Sequence, residues 1–355
     1  VTIDGGPVDG GSVDGGPVDG GGARSDGAPS PGDLGLPDLG SSDMGPTDPC
    51  ATVRCGAGQR CDVPTGSCVC SPGFVSGGSG CVPAPPGDPE TRTAADVCAR
   101  WRDERRVRAE SPWIPGATMC DPGSVPPDAV EDTLRRVNLY RWLTGLPPVT
   151  EAEEMRAAVQ ACALMMSVNG RLDHNPPSSW ACYTEAGRAG AASSNLSLGS
   201  SSAADGIDLF MDDRGVPSLG HRRWILNGPL GRVGIGYARQ GVGASCLGVF
   251  DTSGSSTREW TAYPNPGFAP RATASADWSF HSNRWSLGTA AVSVVRVSDG
   301  VDLPVSVMHP PNGFGPNAVS WRPMGWTPAV GERYRVTVTG GTPSPIAYEI
   351  ELVDC

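Results

Sequence analysis

The stretch "SLGHRRWILN", residues 218–227, sets a glycine and a histidine before two arginines and then enters the apolar Trp224-Ile225-Leu226. A few residues on, Val233, Ile235 and Tyr237 alternate as in a strand over 232–238. Taken alone, His221 fits the start of a short helical turn, donating to a backbone carbonyl and fixing the turn before that strand. In the other reading it is one of two imidazoles flanking a ligand cleft, which requires a second histidine elsewhere in the chain. Gly231-x-x-Gly234-x-Gly236 is not a nucleotide loop, because strand-like residues run through it and no helix follows. Its glycines read as lying beneath packed neighbours.

Toward the N-terminus the period is helical. Residues 92–110 put Ala94, Val97, Cys98 and Trp101 on one face, and 128–144 carries Val130, Leu134 and Val137 before Gly145-Leu146-Pro147-Pro148 stops it. Thr150 with Glu153 reads as a capping box for a third helix, lined by Met155, Val159, Cys162 and Met166, a stripe better explained as core than as a ligand surface. Residues 204–213 form a fourth, with Ile207, Phe210 and Met211 inward. From 271 onward alternation takes over, at Val292-Ser293-Val294, Tyr334 to Val338 and Ile346 to Leu352, with a tight turn at Asp299-Gly300. An antiparallel β-sandwich over 255–355 is expected, in which His281 and His309 stand alone as structural or surface residues.

Composition narrows the function. The 355 residues include 49 Gly and 35 Pro, so much of the chain cannot be packed core. Of the net charge of −11, about −8 falls in residues 1–49, so the remainder is only mildly acidic and fits capture of neither nucleic acid nor an anionic membrane. All 27 basic residues are arginine, which excludes Schiff-base chemistry and a lysine-bearing phosphate loop. There is no Gly-x-Ser-x-Gly elbow for a serine hydrolase. Residues 1–49 open on a five-residue Gly/Asp repeat that buries nothing and read as a flexible stalk; a calcium β-roll would need a nine-residue repeat. Twelve cysteines in groups indicate an oxidising, extracellular or cell-surface setting. No stretch approaches the ~20 apolar residues of a membrane span. A chain opening on Val1 reads as a trimmed product, preceded by a signal or a lipid-anchor segment as in a lipoprotein.

Over residues 50–82 the cysteines fall as Cys50-x4-Cys55-x5-Cys61-x6-Cys68-x-Cys70-x10-Cys81. This spacing resembles the EGF-like module, which implies the pairs Cys50–Cys61, Cys55–Cys68 and Cys70–Cys81. Calcium-binding versions carry an acidic cluster before the first cysteine; here only Asp48-Pro49 precedes it, so a metal-free spacer is expected. Residues 83–127 read as a linker containing the first helix. The six other cysteines allow fifteen connectivities. Cys98–Cys120 and Cys162–Cys182 are favoured because they close local loops, and Cys246–Cys355 because it would clamp the last strand to the body; Cys246 reads as paired, not as a nucleophile.

Residues 128–254 carry the most information. Asn138-x-x-Arg141, Gly145-Leu146-Pro147-Pro148, Leu172-Asp173-His174, Ser194-Asn195-Leu196, Gly220 to Asn227 and Val233-Gly234-Ile235-Gly236 follow in one order. The series resembles the CAP superfamily (cysteine-rich secretory, antigen 5 and pathogenesis-related proteins; the SCP domain) in its bacterial form. The resemblance implies an α/β fold, an α-β-α sandwich, with a cleft holding two histidines and two acids. By motif the histidines are His174 and His221, and one acid is Asp213, with Asp212 its alternate. The other acid belongs to a Gly-Glu-Asn triplet that here reads Ser193-Ser194-Asn195, so Ser194 stands where the carboxylate would be; Glu185 is the candidate to fold back in its place. The implied cleft is His174, Ser194, Asn195, Asp213 and His221, and a divalent ion such as zinc would take His174, His221 and Asp213 as ligands. The leading expectation is a secreted or surface-anchored, non-enzymatic binding protein for a lipid or an extracellular protein. The alternatives are a metal-assisted hydrolase of peptide or cell-wall material and a structural surface module.

Overall fold

Strand pairing and glycine contacts build the body of the molecule. The computed structural model describes residues 49–355 apart from 51, 52, 54, 57, 63, 64, 71, 72, 78 and 79. The stalk expected over 1–49 lies outside the described residues, Pro49 excepted. The first unit is two antiparallel hairpins, β1 (Gln59–Asp62) with β2 (Ser67–Cys70) and β3 (Phe74–Gly77) with β4 (Gly80–Pro83). Its disulfides are Cys50–Cys61, Cys55–Cys68 and Cys70–Cys81, the expected pairing. Phe74 is the buried large side chain of this unit among the described residues, so covalent staples take the place of a core.

Helix α1 (Ala94–Glu104) starts on a capping box in which Thr93 and Asp96 each accept the other's backbone N–H. It ends six residues short of the expected 110. The buried Asp132 carboxylate takes the N–H groups of Arg108 at 2.7 Å and Ala109 at 2.9 Å, so these donors are turned away from any helix. Helix α2 (Pro127–Leu143) has proline at its first position and closes at Gly145, φ +75°. The expected cap at Thr150 is not made. Thr150 and Glu151 instead form strand β5, with the Thr150 and Ala152 N–H groups bonded to Gly231 and Val233 carbonyls, and helix α3 (Arg156–Asn169) begins after a 3-10 turn. There follow α4 (Glu185–Ala192), β6 (Ser194–Leu198), α5 (Ala203–Asp212), α6 (Gly220–Ile225), β7 (Arg232–Ala238) and β8 (Ala244–Gly248).

These strands form one sheet in the order β5-β7-β8-β6, with helices on both faces. On one face α3 lies directly on glycines: a Cβ at Gly236 would sit 2.2 Å from the Val159 carbonyl oxygen, and one at Gly234 would meet Met155 at 2.7 Å. On the other face α5 approaches through Gly206, where a Cβ would lie 2.6 Å from Ser245 Oγ. One core cluster joins the layers through Leu139, Leu143, Leu164, Met165, Met166, Phe210 and Ile235. Val97, Trp101 and Trp113, from the segment 83–127, belong to it.

The other disulfides are Cys98–Cys355, Cys120–Cys182 and Cys162–Cys246, which corrects the expected Cys98–Cys120, Cys162–Cys182 and Cys246–Cys355. The local-loop argument fails because tertiary packing decides proximity. Cys162 projects from α3 onto the face of β8 that carries Cys246, and α1 lies beside the end of the chain, with Cys98 Sγ 3.8 Å from the Asp354 carbonyl oxygen.

The C-terminal strands are β9 (Thr261–Tyr263), β10 (Gly267–Pro270), β11 (Trp278–Ser282), β12 (Ala291–Arg296), β13 (Val301–Leu303), β14 (Val305–Met308), β15 (Asn317–Pro323), β16 (Arg333–Thr339) and β17 (Ile346–Val353). They form two sheets, β10-β17-β16-β12-β13 and β14-β15-β11-β9. Inward residues of both, including Phe280, Val319, Trp321, Val336 and Ile350, share one cluster. The pairing is antiparallel except that β10 runs parallel to β17, a pair far apart in sequence that no hairpin connects. Gly300, φ +72°, makes the turn between β12 and β13. No helix among the described residues is long and apolar enough to cross a membrane.

Three buried arginines fasten these parts around α6. Arg141 donates to the carbonyls of Pro147, Ile225, Asn227 and Leu230 at 2.8–3.0 Å. Arg222 reaches Met211, Asp212 and Asp277 carbonyls and Ser279 Oγ, while Arg223 reaches Ser218, Pro311 and Pro316 carbonyls. Burial pushes the Arg141 pKa down to about 9, which leaves it charged at neutral pH. Replacing Arg141 by Leu takes a donor from four carbonyls, of which Asn227 keeps the Leu230 N–H; the expected loss is about 3 kcal/mol or more, read as a lower urea midpoint with an unchanged m-value.

Candidate functional site

Helix α5 ends at Asp213, held in the left-handed region at φ 50°, and this turns its carboxylate back toward α6. One oxygen lies 2.7 Å from His221 Nδ1 and the other accepts the Arg222 backbone N–H at 3.1 Å. Phe210 stacks on the His221 ring at 5.3 Å, and Asn195 Nδ2 donates to the His221 carbonyl at 2.9 Å. Ring, carboxylate and backbone are therefore fixed together. The Asp213 side chain is sealed from solvent, whereas His221 keeps 19% of its side-chain surface exposed.

His174 sits on the loop between α3 and α4, with Nδ1 2.9 Å from the Ala191 carbonyl oxygen. A carbonyl only accepts, so this nitrogen carries the proton, and the Asp213 contact places the His221 proton on Nδ1 in the same way. Both rings thus present Nε2 as the free position. Burial pushes the His174 pKa down, its bond to Ala191 raises it, and the nearby His221 opposes its positive charge.

A circuit of contacts encloses the place. Ala191, which holds His174, is bonded by the Ser193 N–H; the Ser193 carbonyl accepts from Val249; Asn195, two residues on, holds His221. Ser194 lies within the circuit, its hydroxyl buried and without a partner. Glu185 does not replace the missing carboxylate. At the exposed start of α4 it accepts from Tyr183 Oη at 2.7 Å and Arg188 Nε at 2.9 Å. Asp212 faces Arg214 at 3.3 Å.

Zinc would need three or four protein ligands. Both Asp213 oxygens are engaged, and among the described residues no group of three His, Cys, Asp or Glu is arranged to hold an ion. Two imidazole nitrogens alone do not fit a zinc centre, and Asp213, expected as a ligand, lies against His221 and the Arg222 N–H. No hydroxyl among the described residues hydrogen-bonds either Nε2, so no nucleophile is paired with a base. Phe210 was read from sequence as an inward residue of its helix but not as the ring that stacks on His221, and the Ala191 carbonyl, a main-chain atom, carries no sequence signal.

Residues 134–250 match the family model of the cysteine-rich secretory protein family, CAP. They form a CAP domain. No curated protein and no solved structure matches the chain.

Two histidines tie the domain and its C-terminal neighbour to pH. Burial, reinforced by the charges of Arg222 and Arg223, pushes the His281 pKa well below its ordinary 6.5, and His174 is lowered as well. Because the folded values are the lower ones, the unfolded chain takes up protons first as pH falls. The stability is complete above pH 6.5 and is lost as pH drops through 6.5 toward the folded values. Urea midpoints from pH 7.5 to 5 should decline with that onset, and His281→Leu should flatten the decline; an unchanged slope would remove His281 from the account.

Proposed function

We propose that this is an extracellular binding protein whose CAP domain takes its ligand at the two free imidazole nitrogens, without metal and without turnover. The observation that carries the reading is the commitment of both Asp213 oxygens to His221 and Arg222, which leaves neither a third ligand nor a free carboxylate base. Six disulfides support an oxidising, extracellular location. The CAP domain is of bacterial type. The unit over 50–82 is an EGF-like, metal-free spacer, supported by its cysteine spacing and pairing, and the C-terminal sheets are a β-sandwich, supported by their common cluster.

The chain has four histidines, of which His281 and His309 serve as internal controls. In a histidine-labelled sample, a fractionated cell-envelope extract should move the Cε1–H resonances of His174 and His221 and leave the other two in place. Zinc at low micromolar concentration should broaden none of them. Selective broadening of His174 and His221 by zinc, abolished in His174→Ala/His221→Ala, would replace binding with the metal-assisted hydrolase reading.

A further inference from the structure

At the helix that carries His221 lies an aromatic pair at the edge of the core, Trp224 packing against the core cluster and Phe250 against Trp224. Trp224 follows His221 by three residues on α6, about 60° around the helix, and is half-buried. Phe250 is 44% exposed, and its ring centre lies 4.7 Å from that of Trp224 at a tilt of 43°. The pair belongs to the circuit already traced, since Phe250 follows Val249, whose N–H is bonded to Ser193. The rim thus runs from Trp224 and Phe250 through Ser193 and Ala191 to His174, and returns by Asn195 to His221.

The charged groups along this rim are already engaged. Asp213 is taken by His221 and Arg222, Asp173 accepts from the Asn175 N–H at 2.8 Å, and Asp251 grips Arg232 at 3.0 Å. The guanidinium of Arg222 points into carbonyls, as do Nε and Nη1 of Arg223, whose Nη2 is buried away from solvent without a partner. What remains is an apolar shelf and two Nε2 atoms that no protein group occupies, each a position for a hydrogen bond. A phosphate or a carboxylate finds no free cation there. An acyl chain would need an enclosed apolar channel, and a hollow of about 210 Å³ at the other end of α5 is lined by Asp132 and Asp205 as well as by Val107, Pro112 and Ala129.

We infer that the Trp224–Phe250 shelf and the Nε2 atoms of His174 and His221 form one subsite for a neutral sugar ring, stacked through its C–H face with its hydroxyls donating to the imidazoles. The inference rests on the binding reading above and specifies its ligand class. Its test uses the full chain, titrated calorimetrically with chitotetraose and with cellotetraose, beside tetragalacturonate as an acidic comparison and phosphatidylcholine vesicles. A neutral oligosaccharide should bind, with Trp224→Ala and Phe250→Ala each weakening it about tenfold, Trp224→Phe restoring most of the loss, and His174→Ala/His221→Ala abolishing it. Thermal midpoints of the variants, together with the Trp224→Phe rescue, separate lost contact from lost fold. Absence of heat with both neutral sugars, or aromatic variants that bind as the wild type does, overturns the inference. If vesicles alone shift the His174 and His221 resonances, the sugar subsite falls while the binding reading stands; if sugar binds and neither resonance moves, both fall.

Discussion

Arg141, Arg222 and Arg223 direct their guanidinium protons at main-chain carbonyls. A buried arginine of this kind is costly to desolvate, and here each one recovers part of that cost by satisfying several carbonyls at once. The acceptors belong to the loop after α2, to both ends of α6, to the end of α5 and to loops of the C-terminal sheets. A six-residue helix has little stability of its own, and its orientation here comes from these contacts. Because His221 rides on that helix, the position of its ring depends on guanidiniums that never touch a ligand.

The same logic explains why the C-terminal sheets cannot be treated as a separate appendage. Arg222 passes from the CAP domain to Ser279 Oγ, its guanidinium lies 4.5 Å from the Tyr263 ring centre, and Cys98–Cys355 joins the first long helix to the last residue. Gly220 has room for no side chain without contact, since a Cβ would meet Phe314 at 3.0 Å. Motions of the sheets would therefore be felt at the residue next to His221.

Much of this was legible in the sequence, and the boundary of legibility is physical. Helices α1, α2, α3 and α5 announced themselves by apolar period, and β12, β16 and β17 by alternation, because each buries one face. The two imidazoles could be named from motif order. What could not be read depends on partners remote in the chain: Asp132 drawing Arg108 and Ala109 out of the helix, Gly231 and Val233 claiming the N–H groups near Thr150, and Cys98 finding Cys355. Asp213 is the instructive case. Its type and position suggested a ligand, and only its left-handed backbone shows that both oxygens are aimed at α6.

That aim has a consequence for chemistry. A carboxylate bonded to Nδ1 fixes the imidazole tautomer and the direction of Nε2, an arrangement shared by metal sites, by hydrolytic triads and by simple hydrogen-bond acceptors. The third component chooses among them. A further carboxylate would complete a metal site, and a hydroxyl at Nε2 would complete a nucleophile. Here the position that could have supplied the carboxylate is Ser194, whose hydroxyl is buried and bonded to neither ring. What the two oriented nitrogens share with all three arrangements is the capacity to accept a proton-bearing group in a fixed direction.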